Sequence, residues 1–316
     1  MKKAFSLIEV IFVLVILGIV ASISSQIIVQ VYEGYIVQNA LYKTTTKTEL
    51  VANQIVNRLS YAIDGTTIAK DLINPGTVEG TNWIRLEDIP AMDNNFTTVE
   101  WIGADYDSFS AGATPFWSGV ANYETATINS FKTPGSQLNN ANTIISNLSN
   151  GEVDLNGVAG QRPAVLFTQK AKEYRTGEKY SPICMGLIDN NSSCIFPVAR
   201  NSDDNLSFSN GVPLETIITE RYKLAWSAYA LVPEDLDGDG LFNLYLYYNY
   251  QPWEGELYSS VANNRKLLIR NVSVFKFTEN GGVIQLKLCA SEDIGQRDST
   301  GKPIYISTCK EKAIIR

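Results

Sequence analysis

The sequence contains no histidine. That absence removes imidazole acid–base catalysis, Ser-His-Asp and Cys-His nucleophile systems, and every zinc or haem site that needs a histidine ligand. Basic residues are scarce. Lys and Arg number 26 against 33 Asp and Glu, a formal charge of −7, which is the wrong sign for a protein that grips phosphate backbones. No direct nucleic-acid partner is expected. Only four of 316 residues are cysteine, all in the second half. There is no glycine-rich phosphate loop, no internal repeat, and no carboxylate pair whose spacing argues for catalysis. What remains is carboxylate, Tyr, Lys or Cys chemistry. A hydrophobic share of 45% excludes a disordered tail, and the length can bury one large core or two modest ones. Composition points to a binding or structural protein rather than an enzyme.

What the sequence does have is a long apolar run near its start. Lys2 and Lys3 form a basic head, and residues 5–23 are nearly all apolar, with one acid, Glu9. As a helix the run is about 28 Å long, close to a hydrocarbon core of roughly 30 Å. The preceding lysines place the N-terminus in the cytoplasm and the rest of the chain on the far side. A secretory signal peptide has a shorter apolar region and no acid inside it. A generic anchor leaves the acid unexplained, at a cost of roughly 2.5–3.5 kcal/mol at mid-membrane.

The segment Lys2-Lys3-Ala4-Phe5-Ser6-Leu7-Ile8-Glu9-Val10, followed by an unbroken apolar helix, resembles the N-terminus of type IV prepilins and type II secretion pseudopilins. The resemblance implies that prepilin peptidase cuts between Ala4 and Phe5 and that Phe5 becomes the N-methylated terminus. It makes Glu9 the family's hallmark acid, paired in a filament with a neighbour's terminal amine. The family usually has Gly before the cut; Ala4 stands there here. The implied layout is a leader at 1–4, a helix at 5–63 of which 5–23 spans the inner membrane, and a periplasmic head at 64–316. The implied partners are other pilins or pseudopilins, the peptidase and the inner-membrane assembly platform. The implied role is a minor subunit of a secretion pseudopilus, a DNA-uptake system or a type IV pilus, somewhat like the J-type pseudopilin because the head is large.

The helical pattern continues beyond the membrane. Ile28, Val31 and Tyr35 share one face, as do Thr48, Ala52, Ile55, Leu59 and Ala62. The β-branched stretch Lys43-Thr44-Thr45-Thr46-Lys47 lowers helix propensity between them, and Asp64-Gly65 is the expected stop. The head reads as strands with loop insertions. Residues 97–102 form a short β piece. Leu224, Trp226, Ala228 and Ala230 alternate, as do Leu244, Leu246, Tyr248 and Tyr250, and then Ile284, Leu286 and Leu288. Residues 267–277 should pair with that last run across Asn280-Gly281-Gly282, while the asparagine-rich stretch 137–157 reads as an exposed loop. A long hydrophobic helix packed on an antiparallel sheet is an α+β class, an arrangement that pilin-like proteins share.

The four cysteines permit three pairings. The two local ones, Cys184–Cys194 and Cys289–Cys309, are expected over a four-thiolate zinc site, for which no C-x-x-C spacing exists; the second sits where pilins and pseudopilins often carry a C-terminal disulfide loop. The sharpest local motif runs from Glu234 to Asn243. Asp235, Asp237 and Asp239 alternate, Gly240 follows, Leu241 would offer a carbonyl and Asn243 a side-chain oxygen, as in the first half of an EF-hand-type calcium loop. The bidentate Glu at the twelfth position is missing, with Leu246 in its place, so Glu254 or Glu234 would have to substitute. An acidic hairpin turn without metal has the same pattern. A membrane-anchored, calcium-dependent binding or adhesion module that never polymerises is the rival reading of the whole chain. Tyr245, Tyr247, Tyr248, Tyr250 and Trp253 read as strand formers rather than a stacking platform. Asp189-x-Asn191-x-Ser193 and Asp203-x-Asn205-x-Ser207 fit an acidic glycosylation sequon.

Overall fold

In a computed structural model, residues 7–90, 95–167, 182–209, 211–213, 218–235, 238, 240–261 and 263–315 are described. A helix, α1, runs Leu7–Leu59, about 80 Å at 1.5 Å per residue. It passes through the threonine-rich stretch unbroken because tertiary burial overrides propensity there. Thr44 and Thr48 are buried, and Thr48 Oγ1 donates to the Thr44 carbonyl at 2.7 Å. The helix stops short of the expected residue 63. Ile63 N instead donates to Ile102 O at 2.9 Å and Ala62 bridges to Gly103, so the chain enters the sheet before Asp64-Gly65 makes its turn.

Thirteen strands follow: β1 (Ile68–Asp71), β2 (Trp83–Arg85), β3 (Phe96–Gly103), β4 (Ser130–Lys132), β5 (Ala164–Phe167), β6 (Phe196–Ser202), β7 (Asn205–Phe208), β8 (Tyr222–Ala225), β9 (Ser227–Glu234), β10 (Phe242–Tyr250), β11 (Arg265–Asn280), β12 (Val283–Arg297) and β13 (Pro303–Ile315). Two short helices, α2 (Tyr106–Ser110) and α3 (Leu138–Leu148), lie between β3 and β5. An eight-stranded sheet has the order β13-β12-β11-β10-β9-β3-β1-β2, and a five-stranded sheet the order β4-β7-β6-β5-β8. The strand pairings within both are antiparallel.

In the large sheet β3 is the direct neighbour of β9, although residues 104–226 separate them in sequence. That interval holds the whole second sheet, which makes it an insertion with a core of its own around Trp117, Phe131, Ile145, Phe167 and Tyr222. A second core lies between α1 and the large sheet, with Ala52, Ile55 and Leu59 against Leu244, Phe275 and Leu288. A third joins the two sheets through Ile68, Trp83, Leu166, Leu187 and Tyr250. Thr48, Ala52, Ile55, Leu59 and Ala62 are all buried, as their shared face requires.

Three further sequence expectations change. Residues 137–157 are not an exposed loop: α3 occupies half of them and buries Leu138, Ala141 and Ile145, while Val153 and Leu155 are also buried. The run from Leu224 to Ala230 is not one strand. It changes sheets at Trp226, so that Leu224 faces the insertion core and Ala228 the joining core. In β10 the alternation breaks late: Leu244 and Leu246 face the helix and Tyr247 the opposite, joining core, as alternation requires, but Tyr250, expected on the face of Leu246, also faces the joining core. A register shift between Tyr247 and Tyr250, with Asn249 at φ 61°, turns the strand over. The predicted hairpin of β11 and β12 is present, with Asn280 opposite Val283.

Candidate functional site

The element with most unsatisfied surface is the first half of α1. Large apolar side chains from Leu7 to Tyr35 are exposed, Leu7 by 81% and Phe12 by 67%, and the first buried helix residue is Ala40. A bilayer accounts for about 20 residues of such a helix. Ile27, Ile28, Val31, Tyr32 and Tyr35 lie beyond that span, on a stretch exposed to solvent. A contiguous apolar face of this extent marks a contact surface.

Glu9 lies in the first described turn of α1, beside Ile8, Phe12 and Val13. A carboxylate there is favoured by the positive end of the helix dipole, but in an apolar medium it needs a cation. Ala4 and Phe5 lie outside the described residues.

The head grips the helix further up. Glu49 takes Lys312 Nζ at 2.5 Å and Lys310 Nζ at 3.2 Å, both from β13, and Lys47 reaches Glu292 of β12 at 3.1 Å. Hydrogen bonds and charge from Lys312 and Lys310 hold the Glu49 carboxyl below its usual range.

Both local cysteine pairs are disulfides, and no free cysteine remains. This removes the four-thiolate zinc alternative. Cys289 and Cys309 face each other in register across β12 and β13. Cys184–Cys194 closes a loop that is also pinned by Cys194 N donating to Cys184 O at 3.0 Å.

The acidic motif forms the connection between β9 and β10. Asp237 and Asp239 lie outside the described residues. Asp235 Oδ1 accepts from Gly238 N at 2.7 Å, a local side-chain-to-backbone bond that a turn can use without metal. Asn243 sits in the ladder opposite Glu234. Glu234, one substitute for the missing twelfth ligand, is engaged by Arg265 at 2.9 Å and by the Tyr247 hydroxyl at 2.8 Å. Glu254, the other, belongs to a separate 3-10 turn, Pro252–Glu254. Among the described residues no group of three or more carboxylates or thiols is placed to hold a metal. Tyr247 and Tyr250 are core residues of β10, as strand formers rather than a stacking platform would be; Trp253 is also buried, but in the 3-10 turn and not in a strand.

Sequence reasoning missed two buried acids. Asp105 accepts from Ser108 N at 3.2 Å and contacts Ser108 Oγ, capping α2; burial pushes its carboxyl up to about 6. Glu100 is fully buried in β3, paired with Lys70 of β1, and accepts from the Tyr250 hydroxyl at 2.8 Å. The available signal for Glu100 was an acid flanked by Val99 and Trp101 in a strand with no polar face.

Residues 1–25 match the family described as the prokaryotic N-terminal methylation motif. Together with the long apolar helix, that match is consistent with the type IV pilin-like family. No curated relative and no solved structure matches the chain.

Proposed function

We propose that this protein is a minor pilin or pseudopilin, a structural subunit of a filament assembled from the inner membrane. The methylation motif at 1–25, continuous with a helix whose first half has no cover, carries this reading. Prepilin peptidase would cut after Ala4 and methylate Phe5. Residues 5–23 would hold the subunit in the inner membrane in a single pass, N-terminus in the cytoplasm and head in the periplasm. The assembly platform would then extract it. In the filament, neighbouring helices would cover the apolar face, and a neighbour's terminal amine would pair with Glu9. The role is assembly rather than catalysis. The head, enlarged by the insertion 104–226, is bulky for a repeating major subunit and suits a tip-proximal place. Type II secretion, DNA uptake and pilus biogenesis all use such a subunit.

Replacement of Glu9 tests this. Glu9→Leu is expected to leave the protein in the membrane but to lower its recovery in sheared filaments at least tenfold. Normal incorporation of that variant would remove the Glu9 pairing from the account, and absence of the wild type from sheared filaments would refute the filament role and favour the anchored module that never polymerises. Calcium enters this proposal only as a stabiliser of the β9–β10 turn, on the pattern Asp235, Asp237, Asp239, Leu241 and Asn243. Millimolar calcium is expected to raise the melting temperature of the wild type but not of Asp237→Asn; no shift in the wild type would remove the ion from the account.

A further inference from the structure

Lys70 and Glu100 stand on adjacent antiparallel strands, Lys70 opposite Thr98 and Glu100 opposite Ile68. They are therefore diagonal neighbours, within reach of long side chains. Lys70 Nζ touches Glu100 Oε2 as an ion pair. The surroundings hold both groups in place. Tyr250, fully buried like Glu100, donates its hydroxyl to Glu100 Oε1 at 2.8 Å. Lys70 Nζ also donates to Leu187 O at 2.6 Å, and the Tyr258 ring centre lies 5.5 Å from it. A fully buried carboxylate beside a largely buried ammonium is costly to keep as an ion pair, and a reaction that removes both charges relieves that cost.

We propose that Lys70 and Glu100 condense into an intramolecular isopeptide bond that ties β1 to β3. The ammonium passes one proton to Glu100 Oε2, leaving a neutral amine and a neutral acid. The nitrogen lone pair attacks Cδ, and negative charge develops on Oε1, where the Tyr250 O–H receives it. A second proton moves from the nitrogen to Oε2, the Cδ–Oε2 bond breaks, and Oε2 leaves as water. One N–C bond forms, one C–O bond breaks, and nothing is oxidised or reduced. Burial and the neighbouring carboxylate push the Tyr250 hydroxyl well above its ordinary range, so it remains a donor throughout. Effective molarities of about 10⁵–10⁸ M for groups held in contact favour an amide that would not form between free molecules in water. The bond closes the head just where the chain leaves α1. A pull on the helix then reaches β3 through a covalent link and not only through the β1–β3 hydrogen bonds.

Peptide mapping of the full-length protein, reduced and digested with trypsin, tests the bond. The cut after Lys70 should be lost. Peptides 59–85 and 86–132 should be recovered joined, lighter than their sum by one water. Lys70→Arg should abolish the joined species, and Tyr250→Phe should lower its yield several-fold at a fixed time after synthesis. Recovery of free 59–70 and 86–132 from the wild type, with no joined species, would overturn the proposal and leave a buried ion pair. The readout lies wholly within the head, so its failure leaves the filament reading standing, and failure of that reading leaves the bond testable.

Discussion

Asp105 holds its cap on α2 from a buried position, and burial raises its carboxyl to about 6 in the folded state. In the unfolded chain the group titrates near its ordinary value of about 4. Between those values the folded state retains a proton that the unfolded state has lost, so stability falls as pH rises from about 4 to about 6 and is level above. A difference of roughly two pK units corresponds to about 3 kcal/mol. Urea denaturation across that range should show the decline in the wild type and a flatter profile in Asp105→Asn, which keeps an oxygen for Ser108 N. Equal slopes would remove Asp105 as their source. Residue-scale chemistry was legible where it is local. The motif from Lys2 to Val10 is legible through its resemblance to prepilin N-termini, and the expected disulfides join cysteines close in sequence. Asp105 was not legible, because nothing in Ala104-Asp105-Tyr106 shows that Trp117 Nε1 will donate to the Asp105 carbonyl at 2.9 Å.

Among the elements, β13 has the most consequential position. It is an edge strand, it supplies both lysines that clamp Glu49, and it is fastened to β12 by Cys289–Cys309. The disulfide encloses 20 residues of sequence, for which loop-closure entropy gives about 3 kcal/mol. Paired Cys289→Ala and Cys309→Ala substitutions should lower unfolding free energy by about that amount in denaturant titrations; an unchanged midpoint would mean that β13 is held by its ladder alone. The α3 helix tests the insertion core in the same way. Ile145 is fully buried there, so Ile145→Ala should cost about 3 kcal/mol, whereas an exposed loop at 137–157 would give almost no change. That stretch was misread because asparagines line the helix surface and outnumber the few apolar residues on its buried side. In β10 the alternation from Leu244 was legible only as far as the register shift, which depends on how Asn249 meets Ser227 Oγ at 2.8 Å and Glu152 across the fold.

For the whole molecule, the order of long helix and then antiparallel strands was visible in the periodicity. The adjacency of β3 and β9 was not, because no local pattern announces that residues 104–226 leave the large sheet and return to it. The architecture has a consistent direction: an uncovered apolar helix at one end, a clamp of Glu49, Lys310 and Lys312 along its upper half, and a double-sheet head beyond. Each part suits a subunit that is drawn from a membrane by its helix and loaded through it. All of this depends on the leader being removed at Ala4. Mass spectrometry of the N-terminal peptide from purified membrane and filament fractions is the most direct test. The account predicts a chain that begins at N-methylated Phe5. A chain that retains Met1, or one that begins near Ser25, would contradict it.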